Sequence, residues 1–486
     1  MGLFGILAGL AVLVWLSFRG WSVLVLAPLG ALVASAFAAQ PLLAHWTLTF
    51  MGAAAGFIGQ FFPLFLLGAI FGKLMDDSGA VTSIARFMTE KLGPKRAILA
   101  VVLAGAVVTY GGVSLFVAIF VIVPMGQALF RAADIPSRLL PATVALGTMT
   151  FTMSALPGTP AIQNAIPMPF FGTTPFAAPG LGIVASAIMA GFGLWWLGRA
   201  TRRARAAGEG FARRDATAKE TTPSIDEPEL RARASAASGF DPAEIEDAAP
   251  AFQSPSPLVA ILPLLVVIVV NLIASLIVVP RLDFERIGAL RFDQDALFAA
   301  SGVWGVLFAL ACGIVAVVAL NRSRFASVRA SVDTGAHASV LPVVSVASLV
   351  GFGAVVAAMP AFAEVRDWVL QIEGGPLVSL ALATNVLSAL TGSASGGLTI
   401  ALDTLGDTYL KLATLMGIDP GLLHRVAVIG AGTLDSLPHN GAVVTLLSIC
   451  GCSHKESYLD IVMVAIVGAI IALVAVIALG STVGSF

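Results

Sequence analysis

Residues 422–449 read LLHRVAVIGAGTLDSLPHNGAVVTLLSI, an apolar stretch with a polar interruption around Pro438. The stretch is long enough to cross a bilayer, yet proline removes a backbone donor and bends or breaks a helix. Backbone that is not helical is tolerated at membrane depth only where it is buried in protein or lines a cavity. We therefore predict a broken transmembrane helix whose break belongs to a functional site.

The first half of the chain contains a second stretch of the same kind at residues 139–170. Leu-Leu and Gly recur at identical spacing in residues 139–147 and 422–430, and SALP at 154–157 corresponds to DSLP at 435–438. Each match alone is weak in an apolar chain. Their common order indicates an internal repeat, with two halves that merely share a membrane composition as the alternative.

Two further apolar runs, residues 97–130 and 376–410, are predicted to form re-entrant hairpins. Two full crossings need about 40 residues, which neither run supplies. Small residues interrupt both runs, and YGGVSL at 110–115 matches SGGLTI at 395–400. Because basic residues flank the first run on both sides, we expect its two arms to enter and leave the membrane on the same side.

The composition is that of a protein surrounded by lipid. Of 486 residues, 58% are hydrophobic and 11% are charged, against about 25% charged in soluble domains. A net charge of −1 gives no basic field for nucleic acid, and three cysteines are too few for a disulfide framework or a zinc site. Neither a metal nor a cofactor is expected. Residues 1–18 lack a basic start and a cleavage site, which favours a membrane helix over a signal peptide.

Charged loops set the predicted topology, because Lys and Arg favour the cytoplasmic ends of membrane helices. Residues 199–257, first basic and then acidic, are predicted to form a disordered cytoplasmic linker, with a regulatory or partner-binding segment as the alternative. The linker separates a first repeat, residues 1–198, from a second repeat, residues 258–486, and each repeat is predicted to have five crossings and one hairpin.

An odd number of crossings turns the second repeat upside down and places both termini outside. The predicted fold class is therefore an all-α polytopic membrane protein with two inverted repeats and with broken helices at the midplane. A bacterial-type inner membrane is the expected location.

The interruptions in the two hairpins and the two broken helices are predicted to form one solute site. Each exposes helix N-termini, whose free N–H groups attract an anion such as a carboxylate. Hydroxyl and amide side chains complete the site, although the alternative for any one Ser or Thr is a bond to its own helix backbone. The predicted solute-binding residues are Gly111, Gly112, Ser114, Ser154, Gly158, Thr159, Gln163, Asn164, Ser393, Ser395, Gly396, Gly397, Thr399, Ser436, Asn440 and Thr445.

No Arg or Lys lies inside these interruptions, and the neighbouring Arg131, Arg138, Lys411 and Arg425 are placed at their rims. A site without a fixed cation suits a small hydroxylated monocarboxylate, because neutral donors can serve both its carboxylate and its hydroxyl groups. A polyanion requires fixed cations. The predicted partners are a small carboxylate, a coupling proton and the lipid bilayer, with no nucleic acid.

Asp435 is the one acidic residue at a break deep within a crossing, and His439 follows four positions later. Ionisable groups inside a membrane are costly and are usually functional. A carboxyl group that is removed from water takes up a proton more readily, so we predict that Asp435, together with His439, carries the coupling proton. The alternatives are that Asp435 caps the following helix and that His439 packs the loop as a neutral residue.

The chain resembles the GntP family of gluconate permeases. The resemblance is carried by ATNVLSALTGSASGGLTIAL at 383–402, HRVAVIGAGTLDSLPHNGAVVTLLSICG at 424–451 and TYGGVSLFVAIFVIVPMG at 109–126, and it extends to residues 154–164. It implies an elevator-type carrier of the ion-transporter superfamily, with proton-coupled uptake of gluconate-like sugar acids, and relatives that take D-serine or 3-hydroxybutyrate. Carriers of this type are often homodimers. The long linker departs from a minimal gluconate carrier, and the chain as a whole is closer to the hydroxybutyrate-type branch.

Three other functions are compatible with parts of the sequence. A sodium-coupled carboxylate or D-serine carrier would lose uptake without sodium and keep it with a protonophore. An intramembrane serine hydrolase would use Ser395 as nucleophile and His439 as base, but the glycine that a rhomboid-like pattern needs is replaced by Ser393. A passive channel is disfavoured because mirrored broken helices suit a carrier that closes on its solute.

Overall fold

All regular secondary structure in the described residues is helical. The computed structural model describes residues 2–17, 21–211, 254–282, 294–370, 372, 374–438 and 440–486. The helices are α1 Gly2–Ser17, α2 Val23–Phe37, α3 Leu42–Asp77, α4 Ala80–Leu92, α5 Ala97–Tyr110, α6 Leu115–Ala132, α7 Leu140–Thr148, α8 Phe151–Ser154, α9 Ile162–Ala165, α10 Pro167–Phe171, α11 Pro179–Ala206, α12 Pro257–Arg281, α13 Gln294–Asn321, α14 Val328–Ala357, α15 Phe362–Leu370, α16 Gly375–Thr391, α17 Ala394–Met416, α18 Pro420–Thr433, α19 Gly441–Ile449 and α20 His454–Val483.

Within the described ranges, seven helices are long and apolar enough to cross a membrane. An eighth span is present if the pair Ala80–Leu92 and Pro94–Tyr110, which is bent by 99°, is counted as one. The sequence predicts ten crossings. Six of the seven spans match predicted crossings, and the seventh is α6, an arm of the first predicted hairpin. The four predicted crossings that are missing are the short helices α1 and α2 and the two broken crossings, each of which consists of short helices on either side of its break. The prediction of an all-α polytopic protein is confirmed.

Each predicted hairpin is a pair of neighbouring helices joined by a glycine-containing tip. α5 and α6 turn at Gly112, and α16 and α17 turn at Gly392. These glycines have φ of +95° and +63°, a left-handed region that residues with a Cβ atom rarely adopt. In the second hairpin, the hydroxyl groups of Ser379 and Tyr409 are 2.9 Å apart, which holds the two arms side by side far from the tip.

Each hairpin packs against the broken helix of its own half: α7 contacts α5 and α6, and α18 contacts α16 and α17. A glycine stands in the broken helix at each of these contacts. A Cβ atom on Gly147 would lie 3.0 Å from Val102 Cα, and one on Gly430 would lie 3.2 Å from the carbonyl oxygen of Ala381. These two glycines correspond in the predicted repeat, and each lies at a close contact between a broken helix and a hairpin arm.

Helices at corresponding positions of the two halves also contact each other. α3 packs on α14, and α11 packs on α20. α1 and α2 form a pair, and α2 packs on α14. Because α17 also contacts α14, the second hairpin lies against the pair of α3 and α14, which we call the wall.

The start of the predicted linker is attached to the helical body. α11 extends to Ala206, and the Glu209 carboxylate accepts two bonds from Arg138, at 2.8 and 3.1 Å. Arg138 also donates to Asp460 in α20 at 2.9 Å. The larger part of the predicted linker, residues 212–253, lies outside the described residues.

Candidate functional site

An internal cavity of about 220 Å³ lies where the two hairpin tips and the two helix breaks meet. The wall of α3 and α14 closes its other side, with Phe65, Ala69 and Ser339 among the lining residues. All four interruptions contribute polar lining: Gly112 and Ser114, Gln163, Ser393 and Ser395, and Asp435 and Asn440. The four segments that the sequence predicts to form one site therefore border one cavity.

The first tip and the first break are held by neutral hydrogen bonds. The hydroxyl of Tyr110 donates to the carbonyl of Pro157 at 2.8 Å, which joins the end of α5 to the break. Within the break, the N–H of Gly158 donates to the carbonyl of Pro175 at 2.8 Å. The carbonyl of Gly158 accepts from the side-chain amide of Asn271 in α12 at 2.9 Å. These bonds satisfy backbone groups that a broken helix leaves without intrahelical partners.

The second tip and the second break are joined through a carboxylate. Asp435 Oδ1 accepts from the N–H of Ala394 at 2.8 Å and from the side-chain amide of Asn440 at 2.9 Å. The same amide donates to the carbonyl of Gly392 at 2.9 Å. Asn440 Oδ1 accepts from the N–H of Ala442 at 2.7 Å and so caps α19. The alternative role of Asp435 as the cap of this helix is therefore wrong.

Several predicted solute-binding residues do not line the cavity. The hydroxyl groups of Ser154 and Thr399 donate to carbonyl oxygens one turn earlier in the chain, at 3.1 and 2.7 Å. Thr445 Oγ1 is buried and has no hydrogen-bond partner in the described part of the chain. The predicted residues outside the lining are Gly111, Ser154, Gly158, Thr159, Asn164, Gly396, Gly397, Thr399, Ser436 and Thr445. His439 lies outside the described residues.

Arg425 is not at a rim, as the sequence interpretation placed it. Its side chain in α18 is fully buried, and so is that of the adjacent His424. His424 lies 2.7 Å from the Thr173 hydroxyl through Nδ1 and 3.2 Å from Asn164 Oδ1 through Nε2. The sequence did contain a signal for this position, because Arg425 is a cation within an apolar stretch. An ionisable residue at membrane depth is usually functional, whatever its distance from the break.

Asn271 and the wall of α3 and α14 are further parts of the site that the sequence did not reveal. Asn271 is fully buried, and it reaches the first break from α12, which follows the linker. A single polar residue in an apolar helix can equally bond its own backbone, so its sequence context carries little information.

An all-helical chain in which hairpin tips and broken helices enclose an internal cavity has the architecture of a membrane transporter. Two solved transporter structures share the fold. MtrF of Neisseria gonorrhoeae, described within a class of antimetabolite efflux pumps, has a TM-score of 0.52 at 13% identity, covering 90% of this chain and 85% of its own. The YdaH transporter of Alcanivorax borkumensis has a TM-score of 0.54 at 15% identity, covering 91% and 89%. At such identities the likeness shows the fold alone.

Sequence relatives identify the family. The uncharacterized transporter YxjC of Bacillus subtilis (strain 168) is 38% identical over 489 residues, which is 99% of each chain. An uncharacterized transporter of Haemophilus influenzae is 32% identical over 120 residues, 24% of this chain and 28% of that one. The model of GntP family permeases matches residues 1–204. The chain belongs to the GntP family of permeases and is a multi-pass membrane transporter, so the resemblance drawn from the sequence is confirmed.

Proposed function

We propose that this permease imports a small hydroxylated monocarboxylate, such as a gluconate-like sugar acid or 3-hydroxybutyrate, together with a proton. The supporting observation is the cavity at which all four interruptions meet. Among its described lining residues, Asp435 alone is charged. The rest of the polar lining consists of hydroxyl, amide and backbone groups, which can bind a carboxylate and its hydroxyl substituents.

Helix N-termini at the cavity provide the donors for the carboxylate. α6 begins at Leu115 and α17 begins at Ala394, and both residues line the cavity. α19 begins one residue before the lining residue Ala442. The positive end of the helix dipole favours an anion at each of these positions. At α17 and α19 the N–H groups of Ala394 and Ala442 already donate to Asp435 and Asn440, so the dipole and the neighbouring side chains act on the carboxylate there. The hydroxyl groups of Ser393 and Ser395 lie beside them.

Asp435 couples solute binding to proton binding through electrostatic repulsion. Two unit charges about 5 Å apart repel each other by roughly 3 kcal/mol at an effective dielectric constant of about 20. An ionised Asp435 and a bound carboxylate in one small cavity therefore disfavour each other. Protonation of Asp435 removes the repulsion, so the solute and the proton bind together and leave together.

Alternating access is supported by the matched halves. α3 packs on its counterpart α14, and α11 packs on its counterpart α20, an arrangement that is compatible with a two-fold relation between the repeats. In this proposal the repeats are inverted, and the hairpins and broken helices move relative to α3 and α14. The solute would then reach opposite sides of the membrane by an elevator-type motion.

The test is uptake by purified protein in liposomes, with labelled 3-hydroxybutyrate and gluconate and a panel of unlabelled competitors. With one proton per monocarboxylate, an inward pH gradient of one unit supports about tenfold accumulation. We expect a protonophore to abolish accumulation and sodium removal to leave it unchanged. Strict sodium dependence would refute the coupling, and competition by neutral solutes but by no carboxylate would refute the substrate class.

A further inference from the structure

The guanidinium group of Arg425 is a buried cation beside the first break. Its exposed fraction is 0%. Nε and Nη2 donate to the carbonyl of Ala177, at 3.2 and 2.7 Å, and Nη1 donates to Asn164 Oδ1 at 3.4 Å. Each guanidinium nitrogen therefore has one acceptor, but all of these acceptors are neutral and leave the positive charge uncompensated.

Two other cations that are buried or half-buried in the described part of the chain, Lys73 and Arg138, have acidic partners. Lys73 lies 3.2 Å from Asp77, and Arg138 lies 2.8 Å from Glu209 and 2.9 Å from Asp460. For Arg425, no carboxylate lies within ion-pair distance in the part of the chain that the structure describes. Removing an unpaired charge from water is costly, and protein structures rarely retain one without a use.

Asn164 connects this charge to the cavity. It directly follows Gln163, which lines the cavity. Its amide nitrogen donates to the carbonyls of Thr159 and Pro175, at 3.1 and 3.0 Å, which leaves its oxygen facing Arg425 and His424. The positive charge therefore lies beside the first break, next to the cavity lining but not part of it.

We propose that Arg425 is a specificity-determining residue whose buried charge selects anionic solutes over neutral ones. The proposal rests on the proposed function and deepens it. In the empty carrier the charge of ionised Asp435 balances that of Arg425. In the loaded carrier Asp435 is protonated, and the charge of the solute carboxylate balances that of Arg425 instead. A neutral solute would leave Arg425 uncompensated when Asp435 is protonated, so it binds less well than the matching carboxylate.

The experiment compares uptake of 3-hydroxybutyrate and gluconate with uptake of their neutral primary amides in liposomes. The readout is the kcat/KM for each acid divided by the kcat/KM for its amide. A general loss of folded protein lowers uptake of the acid and of the amide equally and leaves this ratio unchanged. Arg425→Lys and Arg425→Met both lose the guanidinium hydrogen bonds, but only the lysine keeps a charge. We expect the ratio to fall at least tenfold in Arg425→Met and to stay within about threefold in Arg425→Lys.

Two further variants complement Arg425→Met and Arg425→Lys, one as a second test of the charge and one as a control. Asn164→Asp places a carboxylate beside Arg425 and should lower the ratio at least tenfold while the arginine is retained, which keeps the proposal testable if Arg425→Met does not fold. Arg138→Met removes a cation that already has two acidic partners, and it should leave the ratio unchanged.

An unchanged ratio in Arg425→Met, or an equal fall in the lysine and methionine variants, would overturn the role of the charge while leaving the proposed function intact. Wild-type protein that transports the amides and neither acid would overturn both.

Discussion

Replacing Asp435 by asparagine removes one charge and keeps the shape of the side chain. In the structure, Asp435 Oδ1 accepts from the N–H of Ala394 at the tip of the second hairpin and from the side-chain amide of Asn440 in the break. An amide oxygen in the same position can still accept both bonds. The variant therefore tests the ionisable charge rather than the packing.

The expected weakening of the second hairpin tip follows from the two hydrogen bonds that Asp435 accepts. A bond to an ionised group contributes about 1.5–3 kcal/mol, and a bond between neutral groups contributes about 0.5–1.5 kcal/mol. Loss of the charge therefore weakens each bond by about 1 kcal/mol, and together they hold the tip about 2 kcal/mol less strongly. This corresponds to a roughly 30-fold increase in the ratio of open to closed tips.

Amide hydrogen exchange and transport measure the two consequences of Asp435→Asn separately. Exchange of the Ala394 amide should become roughly 30-fold faster. Accumulation against a gradient should be lost while exchange of preloaded solute continues, because a side chain that cannot titrate cannot carry the proton. Tyr110→Phe is the matched control, since it removes the neutral bond at the first tip and should speed exchange there alone. Normal accumulation by Asp435→Asn would refute the coupling role.

Two predictions concern the framework around the cavity. Gly147→Ala and Gly430→Ala should each lower the melting temperature through overpacking that costs about 1–3 kcal/mol, whereas Gly191→Ala, with open space at its Cβ position, should not. Equal melting temperatures in all three would contradict the contact between hairpin and broken helix. Asn271→Ala should cost about 1–3 kcal/mol and raise KM because the first break loses a donor. Asn321→Ala, whose amide donates within its own helix, should leave KM unchanged, and an equal KM effect in both would contradict the link to the site.

The interruptions could be predicted from the sequence because local chemistry specifies them. Pro438 cannot supply an intrahelical donor, and Gly112 and Gly392 adopt a left-handed backbone that other residues avoid. Membrane burial then requires such segments to meet in protein or at a cavity. The backbone preferences of proline and glycine, together with the cost of non-helical backbone in lipid, were enough to predict that four distant segments lie near one another.

The remaining parts of the site depend on which helices pack together, and no local pattern specifies that. Arg425 precedes Asp435 by ten positions (435 − 425), which is about 15 Å along a helix. Along its own broken helix, Arg425 therefore lies far from the break. The structure packs α18 against the first break, where Ser154 Oγ lies 3.1 Å from the Cβ position of Gly432. A residue that is distant from the break of its own half thus adjoins the break of the other half.

The two hairpin tips differ in how they are bonded to the adjacent breaks. The bond from Tyr110 to Pro157 joins neutral groups and does not change when a proton binds in the cavity. The bonds at Asp435 lose their charge when it is protonated, which loosens the second tip and leaves the first unaffected. In the proposed coupling, protonation of Asp435 removes its repulsion of a bound carboxylate and at the same time weakens the bonds that hold the second tip to its break. The proposal therefore predicts that a fall in pH speeds amide exchange at the second tip and leaves exchange at the first tip unchanged.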